Sequence, residues 1–224
     1  MSHLVWFRND LRTADNPALT AACGKGQNVR ALFILTPGQW QDHDWSPARV
    51  QQMLGHLDDL GRALAKLGIP MDILEADDFS ESIRLLTDYC HQHGTRVLHF
   101  NEEYGVNERR RDKQVRDQLS KEEITVNKYR DQTVTPVGTI RTGKDEPYSV
   151  FTPFSRRWLQ WIEDTTPTVL PVPSPVGEPL PWRNHGHTPE TLGFTSPPPA
   201  LVTASESGAH DQLDWFLEER GGDY

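Results

Sequence analysis

Charged and amide side chains follow directly after short apolar segments at two places in the chain. The segment LVWF (Leu4 to Phe7) leads into RNDLR (Arg8 to Arg12), and VLHF (residues 97–100) leads into NEE (residues 101–103). Parallel strands present their carboxyl ends at one sheet edge, and open α/β sheets bind ligands there. Arg8 and Asp10 could therefore contact a ligand or a partner domain. They could also pair with each other and so tie the loop to neighbouring strand ends.

A carboxylate with aromatic neighbours could hold a flat heteroaromatic ring. Glu108 can accept two hydrogen bonds from an amidine-like edge, such as the amino and ring N–H groups of a pterin, each contributing roughly 1.5–3 kcal/mol when sheltered. The segment TPGQWQDHDWSP supplies Trp40, His43 and Trp45 to the same edge. A simpler interpretation needs no ligand: Asn107 caps a helix, Glu108 complements the dipole of its first turn, and the tryptophans anchor a packed loop.

The elements that must position these residues alternate between strand and helix. Helical patterns begin near Asn16, Ser46, Ser80 and Asn107, and they separate short segments rich in Val, Ile, Leu or Phe. Such segments are typical of strands covered on both faces. The predicted strands are His3–Phe7, Val29–Leu35, Pro70–Ala76, Arg96–Phe100 and Ile124–Tyr129. The alternation predicts a doubly wound, Rossmann-like α/β fold with a five-stranded parallel sheet and helices on both faces.

The composition changes after Tyr129. The stretch from Thr165 to Ala200 contains ten of the seventeen prolines, which excludes helix or central strand and predicts an extended connector. The expected organisation is an α/β core over 1–130, a polar segment with a helix packed on it over 131–164, a Pro-rich connector over 165–205 and a last helical segment over 206–224.

Several functions lose support from the sequence. No GxGxxG follows the first strand and no GxxxxGK[ST] occurs, so the dinucleotide and P-loop interpretations lack their main signal. The histidine pairs 91/93 and 185/187 lack partners at zinc-site spacing, and no metal site is expected. A net charge of −9 disfavours nucleic-acid binding by the chain itself. Without a signal peptide or a membrane-length apolar stretch, we expect a cytoplasmic protein that does not contact membranes.

Four segments together resemble the DNA photolyase/cryptochrome family. They are HLVWFRNDLRTADNPAL (residues 3–19), TPGQWQDHDWSP (36–47), NEEYGVNERRRD (101–112) and YSVFTPFSRRW (148–158). The resemblance extends over about residues 3–224 and is nearest to bacterial class I enzymes that repair cyclobutane pyrimidine dimers and use a folate antenna. It implies an amino-terminal α/β antenna domain, a connector, and a helical domain that holds FAD and damaged DNA.

The resemblance also implies site residues. The positions that match contacts of the antenna 5,10-methenyltetrahydrofolate are His43, Asn107 and Glu108. Glu108 matches the carboxylate that binds the pterin ring. Tyr224 matches a tyrosine near the flavin phosphates, and residues 206–224 match the start of the helical FAD domain. In the family, light absorbed by the antenna reaches reduced FAD, which donates an electron to the dimer. No catalytic residue is expected in this chain.

The same resemblance implies that the chain is the amino-terminal portion of a photolyase or a truncated product, inactive alone. The expected partner of the chain is the helical domain. The chain itself is expected to bind DNA weakly or not at all. Apolar surface at Tyr148, Phe151 and Phe154, along the connector and on the last helix is expected to face the absent domain and predicts self-association. Arg109 to Arg111 are expected on a solvated helix face or against the other domain. Two alternatives stay open, a cryptochrome-type light sensor and a generic nucleotide-binding α/β domain.

Overall fold

Five parallel strands form the centre of the computed structural model, which describes residues 1–25, 28–184, 186–200 and 202–223. The strand order is β3-β2-β1-β4-β5, so the chain reverses direction across the sheet beside β1. The predicted doubly wound α/β fold is confirmed, with five boundaries in three of the strands shifted by one residue. The strands are β1 (His3–Phe7), β2 (Val29–Leu35), β3 (Met71–Glu75), β4 (Val97–Asn101) and β5 (Thr125–Tyr129).

Side chains of β1 alternate between two cores, which explains why the strand is apolar from Leu4 to Phe7. Val5 and Phe7 pack with the helices of one face, and Leu4 and Trp6 with those of the other. The helices are α1 (Pro17–Cys23), α2 (Pro37–Asp42), α3 (Pro47–Lys66), α4 (Phe79–Gln92), α5 (Val106–Lys121), α6 (Phe151–Thr165) and α7 (Glu206–Glu219). Within the described residues, none of these helices is long and apolar enough to span a membrane.

Capping residues explain where the helices begin. Asn16 and Ser46 accept hydrogen bonds from the backbone N–H three residues later, which agrees with the helix starts predicted there. The expectation that Asn107 caps α5 is wrong. Helix α5 begins at Val106 after an extended Gly105, so Asn107 lies within the first turn.

The connector lies along α3. The Trp182 indole donates a hydrogen bond to Asp58 at 2.7 Å, and its ring covers Gly61, where any side chain would collide with it. At the far end of the connector, Glu206 accepts hydrogen bonds from the backbone N–H groups of Thr13 and Ala14 at 2.8 and 2.9 Å. These contacts anchor α7 to the loop that follows β1.

Two buried arginines and two carboxylates meet where β1 ends. Arg8 donates to Asp112 at 2.8 Å, and Arg111 donates to Glu103 at 2.7 Å and to Asp112 at 2.9 Å. Arg8, Glu103, Arg111 and Asp112 are called the buried ion-pair cluster below. Burial alone would raise the pKa of Glu103, but the charges of the two arginines lower it below its usual value. Arg109 and Arg110 are exposed, whereas the expectation of an exposed Arg111 is wrong.

A second polar network ties the same loop to α1 and β4. The Arg8 backbone N–H donates to Asp10 at 2.8 Å, and the Asn101 amide donates to Asp10 at 2.6 Å. The Asn101 side-chain oxygen accepts from the backbone N–H of Ala18 in the first turn of α1 at 3.1 Å. Burial raises the pKa of Asp10 despite these bonds. The loop is therefore tied to neighbouring elements as expected, but the predicted ion pair between Arg8 and Asp10 is wrong, because the Arg8 guanidinium pairs with Asp112.

We predict that Glu103→Gln lowers the free energy of unfolding by about 3 kcal/mol, because it leaves two buried arginines with a single carboxylate. Urea denaturation measures this. The neighbouring Glu102→Gln is the control, since Glu102 pairs with Lys128 at the surface and its loss should cost less than about 1 kcal/mol. Equal losses in the two variants would contradict a structural role for the cluster.

A histidine pair in the sheet predicts acid sensitivity. His99 contacts the His3 ring at 2.9 Å and the Tyr129 hydroxyl at 2.8 Å, and burial lowers the pKa of His99 to about 4. Below pH 6.5 the unfolded chain binds a proton that the folded chain excludes, so stability falls as pH drops toward 4. We expect a loss of about 1–2 kcal/mol between pH 7 and pH 5 from this group.

The variant His99→Gln keeps hydrogen-bonding capacity but does not titrate in this range. Urea denaturation at the two pH values should therefore show a smaller pH dependence in the variant than in the wild type. An unchanged pH dependence would show that His99 does not carry the effect.

Candidate functional site

A cavity of about 340 Å³ lies at the carboxyl end of the sheet, next to the point where the strand order reverses. It is called the sheet-edge cavity below. Its volume falls near the lower end of the ~300–1,000 Å³ range of small-molecule sites. Residues from β1, β2 and helices α2 to α5 contribute to its lining, so it is built mainly on regular elements.

Aromatic rings form much of the wall of this cavity. Trp40 lies on α2, and its ring stacks on Trp45 with centroids 5.0 Å apart and planes 4° apart. The Arg49 guanidinium lies 3.7 Å from the centre of the Trp45 ring. Trp6 and Phe79 also line the cavity. Flat walls of this kind suit a planar ring.

The buried ion-pair cluster supplies the charged part of the lining. Arg8, Glu103 and Arg111 all line the cavity, and Asn9 donates a further hydrogen bond to Glu103. The carboxylate of Glu103 is thus fully engaged by the protein. In contrast, the buried Arg8 Nε has no hydrogen-bond partner among the described residues, its nearest carboxylate oxygen being 3.8 Å away on Glu103.

Glu108 is the second carboxylate of the cavity, and its situation differs from that of Glu103. It is half-buried in the first turn of α5. Across the part of the chain that the structure describes, no side chain or backbone N–H forms a hydrogen bond or ion pair with it. A partly sheltered carboxylate without a protein partner can accept hydrogen bonds from a ligand.

The structure brings two of the sequence-predicted site residues together. His43, the residue that ends α2, lines the sheet-edge cavity together with Glu108. Asn107 instead lines an adjoining cavity of about 540 Å³, which it shares with His43. His43 and Asn107 are both exposed. Tyr224 lies outside the described residues.

Sequence reasoning missed part of the lining. Phe79 begins α4 just beyond β3, and its place after a strand end was an available signal. Arg49 and Met53 lie on α3, and no sequence pattern distinguishes them from the other residues of that helix. A further cavity of about 700 Å³ lies between α3 and α7, and it shares Arg8, Asn9, Trp45, Arg49 and Met53 with the sheet-edge cavity.

The arrangement can hold a planar heteroaromatic molecule with hydrogen-bond donors along one edge. The walls are aromatic, one carboxylate is available, and His43 lies at the same cavity. No three His, Cys, Asp or Glu side chains of the described residues gather closely enough to hold a metal ion. The site is thus suited to binding.

Comparisons with known proteins agree with this architecture. The model of the DNA photolyase family matches residues 3–175. Deoxyribodipyrimidine photo-lyase of Salmonella typhimurium is 36% identical over the whole chain, which covers 47% of that relative. The chain therefore spans about half the length of the curated relatives it matches.

Solved structures share the fold. A class III photolyase from Agrobacterium tumefaciens matches with a TM-score of 0.77 and 24% identity, covering 97% of this chain and 44% of its own. A cryptochrome from Synechocystis matches with a TM-score of 0.78 and 20% identity, covering 97% of this chain and 46% of its own. With the family model spanning the sheet, the cavity and the start of the connector, the chain belongs to the DNA photolyase family.

Proposed function

We propose that this chain is the antenna-binding α/β part of a deoxyribodipyrimidine photolyase and that it binds 5,10-methenyltetrahydrofolate at the sheet-edge cavity. The observation that carries the proposal is the unpartnered, half-buried carboxylate of Glu108 beside aromatic walls. A carboxylate in that position can accept two hydrogen bonds from the amidine-like edge of a pterin. The family of the chain makes a light-absorbing ligand the first candidate.

Each site residue has a proposed task. Glu108 accepts hydrogen bonds from the pterin ring, and Trp40 and Trp45 exclude water beside it. His43 and Asn107 contact the remainder of the folate, which is too large for a cavity of about 340 Å³ and extends toward the adjoining one. The bound folate supplies absorption of light, and the residues of this chain supply binding and orientation.

Flavin chemistry and repair are proposed for the part of the relatives that this sequence does not span. The relatives are about twice as long as this chain, and we propose that their remaining part carries FAD and contacts damaged DNA. The net charge of −9 on this chain disfavours binding to DNA phosphates, which supports a DNA-binding surface on the remaining part of the protein. On its own, the chain should not repair DNA. For a repair role we propose a cytoplasmic location, where the protein would reach DNA.

A sensory role is the second candidate. The cryptochrome likeness is at 20% identity and concerns the fold alone. The relative at 36% identity over the whole chain is named a photo-lyase, which favours repair over sensing.

Exposed apolar side chains support a proposed docking of a second domain or of a second copy of the chain. Leu213 and Leu217 of α7 are 52% and 58% exposed, and Phe151 of α6 is 76% exposed. Surfaces of this kind favour association. Tyr148 and Phe154 are half-buried and contact each other edge to face, so they contribute less than Phe151.

Binding of the folate tests the proposal. Titration of the purified chain with 5,10-methenyltetrahydrofolate, followed by absorbance and equilibrium dialysis, should show saturable binding. We expect Glu108→Gln to weaken it by about tenfold or more, because charge-assisted hydrogen bonds are lost. Glu163→Gln, which removes the same charge from the exposed α6, should bind as the wild type does. Absence of binding, or equal affinity in Glu108→Gln, would refute the proposed site.

Sedimentation velocity over a range of concentrations tests the association surface. The wild-type chain should show a sedimentation coefficient that rises with concentration, and Phe151→Ser should reduce the rise. Val134→Ser, at a position that is 60% exposed elsewhere on the chain, is the control. A concentration-independent monomer would rule out self-association.

A further inference from the structure

We propose that Gly105 is a positioning residue that determines where the Glu108 carboxylate lies, and through it how tightly the sheet-edge cavity binds a planar ligand. The inference rests on the proposed function, in which Glu108 accepts hydrogen bonds from the ligand. Gly105 precedes α5 and makes no side-chain contact of its own. Its role follows from the space that its missing side chain leaves free.

The backbone at residue 105 does not require glycine. Its φ of −60° and ψ of 150° lie in the extended region that every residue adopts. The position is the N-cap of α5, where Ser, Thr, Asp and Asn are favoured, yet no side chain caps this helix. Neither conformation nor capping therefore explains the glycine.

Steric exclusion by Glu108 does explain it. A Cβ atom built on Gly105 would lie 2.8 Å from Glu108 Cδ and closer still to Oε2. The Glu108 side chain thus folds back over the start of its own helix and fills the volume that a residue-105 side chain would need. The positive end of the α5 dipole favours a carboxylate in this place.

A side chain at residue 105 would displace a flexible carboxylate and leave the backbone in place. The three atoms nearest to the added Cβ all belong to the Glu108 side chain. Glu108 has no hydrogen-bond or ion-pair partner in the described part of the chain that would oppose its movement. Gly105→Ala should therefore fold normally while moving the carboxylate away from the edge of the cavity.

A double-mutant cycle tests whether Gly105 acts through Glu108. The wild type, Gly105→Ala, Glu108→Gln and the double variant are titrated with 5,10-methenyltetrahydrofolate, and the absorption maximum of the bound folate is recorded. We expect Gly105→Ala alone to weaken binding by about fivefold or more and to shift the maximum. In the Glu108→Gln background the same substitution should change affinity by less than about twofold. Gly143→Ala, at a glycine with open space around it, is the control.

Equal effects of Gly105→Ala in both backgrounds, or no effect on the wild type, would overturn the inference. A ligand-free measurement separates it from the proposed function. The crystal structure of Gly105→Ala should show the Glu108 carboxylate displaced from its position over residue 105, and an unmoved carboxylate would overturn the inference. A wild-type chain that binds no folate would overturn the proposed function, and with it the role in ligand binding, whatever position the carboxylate takes.

Discussion

The site depends on the neutralisation of two arginines buried at the end of the first strand. An isolated buried charge is strongly unfavourable, and a buried pair is tolerated only when geometry and hydrogen bonding are good. Arg8 and Arg111 meet this condition by sharing Glu103 and Asp112, while the Arg8 guanidinium lies 4.7 Å from the Trp6 ring. The cluster joins the end of β1 to α5. It therefore holds the start of α5 in place at one side of the cavity.

This arrangement divides the carboxylates into two kinds. Both oxygens of the Glu103 carboxylate accept hydrogen bonds from the protein, and the lowered pKa of Glu103 reflects the cationic groups around it. Glu108, five residues later, has no such partners in the described structure and lies beside the same cavity. The buried ion-pair cluster with an available carboxylate beside it is the physical basis for the ligand binding proposed at this cavity.

Much of the fold could be predicted from the sequence because strands covered on both faces are apolar throughout. The start of α5 could not, since Asn107 is a favourable capping residue and Gly105 gives no side-chain signal. The burial of Arg111 had a signal that was not used: it lies four residues before Val115 and eight before Leu119, both buried on the same helix face. Helix α2 was expected to be a loop, although Pro37 at its first position is a helix-start signal.

The position of His43 and Glu108 at one sheet edge could be predicted from the sequence, but the shape of the cavity between them could not, since it depends on strand order and helix packing that local patterns do not contain. A crystal structure of the chain soaked with 5,10-methenyltetrahydrofolate tests the central claim most directly. The account predicts the pterin ring in the sheet-edge cavity, with its amino and ring nitrogens about 2.7–3.2 Å from the Glu108 carboxylate. A folate bound elsewhere, with Glu108 making no contact to it, would contradict the account.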